Sequence, residues 1–187
     1  MDRRDALRDY VVFDLETTGL SCANDHIIEL AGVKVLEGEV ADEFSTLVNP
    51  GCHIPRGASQ VNGITDDMVS TAPTICEALP RFLSFVGELP LVGHNIISFD
   101  MNFILRACEE LPDGHAIHNA TVDTLPMARR CLPGMRHHRL TDLAEHFGLS
   151  TEGAHRALAD CRMNQRIYVL LSDMEDNAGP QMITYAI

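Results

Sequence analysis

Apolar and polar positions along this chain switch between two periods. Tyr10-Val-Val-Phe-Asp-Leu-Glu16 is a short apolar, β-branched run and predicts a strand. Thr17-Thr-Gly-Leu-Ser breaks it. Residues 27–35 form a second apolar run, and Glu37-Gly-Glu marks a turn. Residues 44–48 predict a third strand, closed by Asn49-Pro-Gly. Three strands joined by short turns predict an antiparallel meander.

Helical signals dominate afterwards. Residues 58–65 read as a loop leading into short helices. Thr74, with Glu77 three residues later, predicts a capped helix over Ile75–Val86. Leu91-Val-Gly is a brief strand ending at His94-Asn95, and Ser98 caps a predicted helix over 99–110. Residues 120–123 read as another strand, followed by a helix over Thr124–Cys131. Thr141 caps a helix over 142–147 that Gly148 ends, and a long helix is expected over 157–174. A meander followed by strands alternating with helices implies an α/β fold, a mixed sheet with helices packed on it. The expected organisation is a charged leader over 1–9, one domain over 10–175 and a tail over 176–187.

Composition narrows the class. The chain has 187 residues, 45% of them hydrophobic, which suits one domain with a proper core rather than a disordered or fibrous chain. No apolar stretch approaches the ~20 residues that span a bilayer. The start, Met-Asp-Arg-Arg-Asp-Ala, lacks the apolar segment of a signal peptide. The expectation is a cytoplasmic protein with no membrane partner. Six cysteines are spread with no close pair, against zinc ribbons and redox motifs, so free and mostly buried thiols are expected. The formal charge of −13 argues against a tight, nonspecific polyanion binder. It leaves room for an enzyme that handles one strand end at a cationic centre, because binding follows the local field.

Candidate chemistry lies in the acids. Asp14 and Glu16 are two apart on the first strand, so both side chains point to one face. Unpaired there they repel each other, and burial of either is costly. A divalent cation relieves both problems, and hard oxygen ligands favour magnesium or manganese. A solvated strand edge is the other reading of the pair. Asp100 opens a predicted helix, where an acid also simply complements the dipole. His155 and Asp160 are five apart, hence ~140° apart on a helix, and they converge only if His155 precedes the helix proper. Glu152-Gly153 supplies that break, which predicts a movable histidine and a fixed aspartate. A surface histidine and a helix-face acid remain the alternative.

Three segments taken together resemble a known family. Phe13-Asp14-Leu-Glu16-Thr17-Thr18-Gly19-Leu20, His94-Asn95-Ile-Ile-Ser-Phe99-Asp100 and His155-Arg-Ala-Leu-Ala-Asp160 are similar to the three motifs of the DEDD exonucleases. The histidine five before the last aspartate is the mark of the DEDDh subgroup. The resemblance covers roughly residues 10–172, and is nearest to proofreading exonuclease domains of the bacterial DNA polymerase III epsilon type. It implies a ribonuclease H-like fold, a five-stranded mixed sheet flanked by helices on both sides. It also implies a 3′→5′ exonuclease that releases nucleoside 5′-monophosphates from the 3′ end of DNA, single-stranded or frayed, in proofreading or repair. Two Mg2+ or Mn2+ ions would be held by Asp14, Glu16, Asp100 and Asp160, with His155 as general base.

The same resemblance places Thr17, Thr18, Ile64, Asn95 and Phe99 against the substrate. In that scheme the backbone N–H groups at Thr17 and Thr18 meet the terminal nucleotide. Ile64, in Val61-Asn62-Gly63-Ile64-Thr65, wedges against the last bases. Many relatives carry histidine where this chain has Asn62. Phe99 lines the pocket or belongs to the core. Asp123 matches a family pattern and is read as a supporting residue rather than a ligand. Arg129-Arg130 and Arg136-His-His-Arg139 form the dense basic stretch, with phosphate holding and a solvated loop as its two readings.

The implied partner is a single-stranded nucleic acid 3′ end, with a DNA polymerase as a second candidate. Alternatives are an RNA-directed 3′→5′ exoribonuclease of the same superfamily and a noncatalytic polymerase-associated interaction subunit. Glu16-Thr17-Thr18 favours the proofreading-type branch over oligoribonucleases, where methionine commonly follows the glutamate. The tail Gln181-Met-Ile-Thr-Tyr-Ala-Ile187 loosely resembles a sliding-clamp peptide.

Overall fold

Alternating side-chain direction along the first strand feeds the two larger of three hydrophobic clusters, one on each face of the sheet. The structure, a computed structural model, describes residues 7–111 and 116–177. The first six residues of the expected leader lie outside the described residues, as do 178–187 with the clamp-like peptide. Strands β1 (Tyr10–Thr17), β2 (Ile27–Leu36) and β3 (Glu39–Leu47) form the antiparallel meander. Strands β4 (Leu91–Gly93) and β5 (Thr121–Asp123) continue the sheet in parallel on the other side of β1. The resulting order is β3-β2-β1-β4-β5, a five-stranded mixed sheet.

Val11, Phe13 and Leu15 of β1 point to one face. They pack with Phe82 of α3 (Ile75–Val86) and Phe103 and Ile104 of α4 (Asp100–Glu109). Tyr10 and Val12 point to the opposite face. There they meet Met127 and Ala128 of α5 (Thr124–Cys131), Leu143 of α6 (Leu140–His146), and Cys161 and Ile167 of α7 (Ala157–Asn177). Asp14 and Glu16 continue the even-numbered row, so they face α7. No helix among the described residues is long and apolar enough to cross a membrane.

Several boundaries differ from expectation for local reasons. Residues expected to begin as loop form the helix α1 (Arg56–Asn62), followed by α2 (Asp66–Val69). Pro55 at the N-terminal cap, with φ −58°, is already set for a helix, and Gly63 ends it in the left-handed region at φ 71°. β3 begins at Glu39, five residues early, because an edge strand tolerates a polar run such as Glu39-Val-Ala-Asp-Glu. Ser98 does not cap α4. Phe99 occupies that position, and the Ser98 carbonyl accepts instead from the Asn102 amide at 2.9 Å. α6 starts two residues earlier than Thr141 implied, at Leu140, with the Asp142 carboxylate accepting the Arg139 N–H at 3.1 Å. For α3 the cap is as expected in kind: Glu77 accepts from both the N–H and the hydroxyl of Thr74, at 2.8 and 2.9 Å. The thiols are free, but Cys52 and Cys76 are exposed and only Cys108 and Cys161 are fully buried.

Candidate active site

β1 ends where its apolar row gives way to acids. Carboxylate oxygens of Asp14, Glu16 and Asp160 lie within 4.8 Å of one another. Two come from alternate positions of one strand and the third from the first turn of α7. Asp160 is largely buried, and its Oδ1 has no hydrogen-bond partner among the described residues. Its Oδ2 accepts the N–H of His155 at 3.1 Å. A buried carboxylate oxygen left unpartnered and facing two more acids has the donor chemistry of a divalent-cation site, all hard oxygen.

Asp100 is buried at the start of α4, and its Oδ1 accepts the N–H of Leu15 at 3.2 Å. That bond ties the acid to the strand between Asp14 and Glu16. It stands beside the triangle rather than within it. Asp14 is pushed well above the usual carboxylate range by burial first and then by the charges of Asp100, Asp160, Glu16 and Glu29. Burial, with Asp160 next, pushes Glu16 up to about 7. Burial likewise raises Asp100 to about 7 against its backbone hydrogen bonds. Asp160 is raised by burial, against the His155 N–H that favours its charged form. Every acid of the group is thus held in a field that resists ionisation without a compensating cation.

His155 precedes α7, the placement that convergence with Asp160 requires, in the left-handed region at φ 66°. Its side chain is exposed. Backbone contacts hold the chain on both sides of it. Its own N–H goes to Asp160, and the next residue, Arg156, is anchored to Glu29. Arg156 Nη2 and Nε donate to the two Glu29 oxygens at 2.7 and 3.1 Å, and Ala157 N–H donates to the same carboxylate at 3.0 Å. Glu29 sits opposite Glu16 in the β1–β2 register and is almost wholly buried. Sequence reasoning missed this residue. Its signal was a lone acid inside the apolar run Ile27-Ile-Glu-Leu-Ala.

The remaining candidates fall out differently. Thr17 and Thr18 are buried and build the turn after β1. The Thr17 hydroxyl donates to the Gly19 carbonyl at 2.6 Å, and the Thr18 N–H donates to the His26 carbonyl at 2.9 Å. Thr18 Oγ1 donates to Asp25 and accepts the His26 N–H. A Cβ at Gly19 would meet Asp25 at 2.5 Å, so the motif's glycine makes room for that carboxylate. Ile64 is corrected. It is fully buried against Ile28, Ile54 and Val69 and offers no surface to a base, while Val61, three residues earlier, is exposed. Asn62 is buried, takes the Ile64 N–H on Oδ1 at 3.0 Å, and hydrogen-bonds Glu16 in the sense that favours its charge.

Asn95, at φ 61°, and Phe99 lie on the loop that delivers Asp100. Asp123 accepts the N–H groups of Asn95, Ile97 and Leu125 at 2.9, 3.3 and 3.0 Å, which is the supporting role expected of it. Gly93 permits the tight exit from β4, since a Cβ there would collide with Ile96 at 2.5 Å. Phe99 is half-buried and packs on Phe103, with ring centroids 5.1 Å apart.

A ribonuclease H-like sheet of this order carries the acids at the end of its first strand. The chain belongs to the Exonuclease family, whose model matches residues 11–168. It is 40% identical over 168 residues to the DNA polymerase III subunit epsilon of Aquifex aeolicus, covering 89% of this chain and 82% of that one. It is 43% identical over 159 residues to a PolC-type DNA polymerase III of Clostridium perfringens, covering 85% of this chain but 11% of that polymerase. The chain therefore spans about a tenth of the length of such PolC-type relatives. Among solved structures it resembles Exonuclease X in complex with 5′-overhanging duplex DNA, with a TM-score of 0.69, 28% identity, and 91% and 93% of the two chains covered. It shares its fold with Exonuclease I, with a TM-score of 0.76, 20% identity, and 89% and 43% covered.

Proposed function

We propose that this chain is a two-metal 3′→5′ exonuclease that removes nucleotides from single-stranded or frayed 3′ ends of DNA. The observation that carries the reading is the meeting of Asp14, Glu16 and Asp160 around the unpartnered Asp160 Oδ1. Those three acids and Asp100 are the residues that would hold the cations. When bound, divalent cations neutralise charge on the scissile phosphate and lower the pKa of a water. His155 accepts the proton of the attacking water, and its anchored backbone fixes where the imidazole can reach. Glu29 and Arg156 keep that turn in place. Asn62 steadies the charged form of Glu16.

DNA as substrate rests on the polymerase III relatives and on a neighbour solved with DNA. The same relatives make a DNA polymerase the natural partner and proofreading the natural setting. The test compares 3′-labelled single-stranded DNA and RNA, with Mg2+ or Mn2+, using Asp160→Ala as control. Stepwise shortening of DNA by the wild type alone is the expected result. If both strands stay intact under every metal condition, the proposal fails. Preference for RNA would move the assignment to the exoribonuclease branch.

A further inference from the structure

We propose that a basic groove beside the acid cluster holds the phosphates of the strand that enters the site. The inference rests on the exonuclease reading above for the identity of that strand. The groove, of about 470 Å3, is lined by His94, Asn95, Leu125, Arg129, Leu140 and the run Arg136-His-His-Arg139. Among the described residues no acid lines it, on a chain of formal charge −13.

The arginines are sorted by the fold. Arg106, Arg130, Arg156 and Arg162 are each bound to a glutamate. Arg130, which the sequence groups with Arg129, turns away to Glu175 at 2.7 Å. Arg129, Arg136 and Arg139 are exposed and have no carboxylate partner among the described residues. Three uncommitted guanidinium groups converging on one concavity raise the local potential despite the overall charge.

The groove is also built, and it opens at the correct end of the sheet. Val12 pairs with Val92 in parallel register, so His94 lies level with Asp14 on the neighbouring strand. His94 Nε2 donates to the His138 carbonyl at 2.9 Å, while Nδ1 meets Thr124 Oγ1 at 2.9 Å. His138 Nε2 donates to the Leu132 carbonyl at 2.9 Å. These bonds staple the basic loop to the end of β4, whose exit loop delivers Asp100. An exonuclease that cuts at the last bond leaves all other phosphates on one side of the cut. A charged, base-blind groove adjoining the cluster matches that backbone.

The test replaces Arg129, Arg136 and Arg139 by glutamine, singly and together, with Arg81→Gln on the exposed face of α3 as control. Two substrates are compared: single-stranded DNA, and the p-nitrophenyl ester of thymidine 5′-monophosphate, which carries one phosphate. The ratio of kcat/KM on DNA to that on the ester is expected to fall by about tenfold or more in the triple variant and not in the control. Binding of the same DNA, followed by anisotropy in Ca2+, should lose about 0.7 in log–log salt slope per arginine removed. An unchanged ratio and slope overturn the proposal, as does a wild type that fails to bind at low salt. A loss confined to duplex ends with a recessed 3′ strand also overturns it, by assigning the groove to the complementary strand. Wild type that binds DNA with this slope yet cleaves neither substrate sinks the exonuclease reading and leaves the groove standing. The single variants keep the question decidable should the triple variant not fold.

Discussion

Glu29 and Arg156 meet in a two-point ion pair that spans 127 positions of sequence and pins the turn carrying His155. The Glu29 side chain is 3% exposed, and Arg156 is its ion-pair partner. Arg156→Met leaves a buried acid facing Glu16 and should cost about 3 kcal/mol in urea unfolding. Glu29→Gln with Arg156→Met should cost less than the two single changes added together. A cycle that comes out additive means the pair contributes no coupling.

His155→Ala should lower kcat by about 100-fold or more, the usual scale for a lost general base. The Mg2+-induced rise in Tm should persist, because His155 is no part of the acid triangle. Loss of that rise would falsify its assignment as base.

Asp160→Asn removes one charge from the cluster and puts an amide NH2 in place of one carboxylate oxygen. Activity should fall by at least about 100-fold, and the Mg2+ shift in Tm should shrink strongly. A variant as responsive to Mg2+ as the wild type places the cation elsewhere.

The raised carboxylates set a pH dependence in metal-free protein. Glu16 and Asp100 hold their protons to about pH 7 when folded, against ordinary values of 4.5 and 3.8. The folded state therefore binds more protons, so this stabilising contribution is full at low pH and disappears as pH rises through about 7. Tm in EDTA should fall relative to Asp100→Asn between about pH 5 and 8, and Mg2+ should reverse the fall at the alkaline end. Parallel Tm profiles for the two proteins would contradict the argument.

Ile64→Ala tests a residue whose role changed on folding. Fully buried among Ile28, Ile54 and Val69, it should cost about 3 kcal/mol of stability. At a temperature where the variant stays folded, KM for DNA should match wild type. A raised KM with normal stability would restore the wedge role.

Much of the site is legible in sequence, because its first relation is local. Period 2 puts Asp14 and Glu16 on one face of β1 whatever surrounds them. The five-residue step from His155 to Asp160 lets the two converge only if the histidine is off the helix, and it lies off it, at φ 66°. The two larger hydrophobic clusters follow from the same alternation along β1. Where the sequence misled, the deciding contact was distant or the burial one-sided. Polar Glu39-Val-Ala-Asp-Glu hides an edge strand because only one of its faces needs covering.

What the sequence by itself determines here is the kind of chemistry: four acids, one histidine and the strand and helix ends that carry them. Tertiary structure alone decides which neighbours those residues answer to. Arg129 and Arg130 are adjacent and chemically identical, yet α7 supplies Glu175 to one and leaves the other lining the groove. Ile64 reads as a surface wedge until β2 and α2 close over it. Such outcomes depend on packing between elements far apart in the chain, which no local pattern encodes.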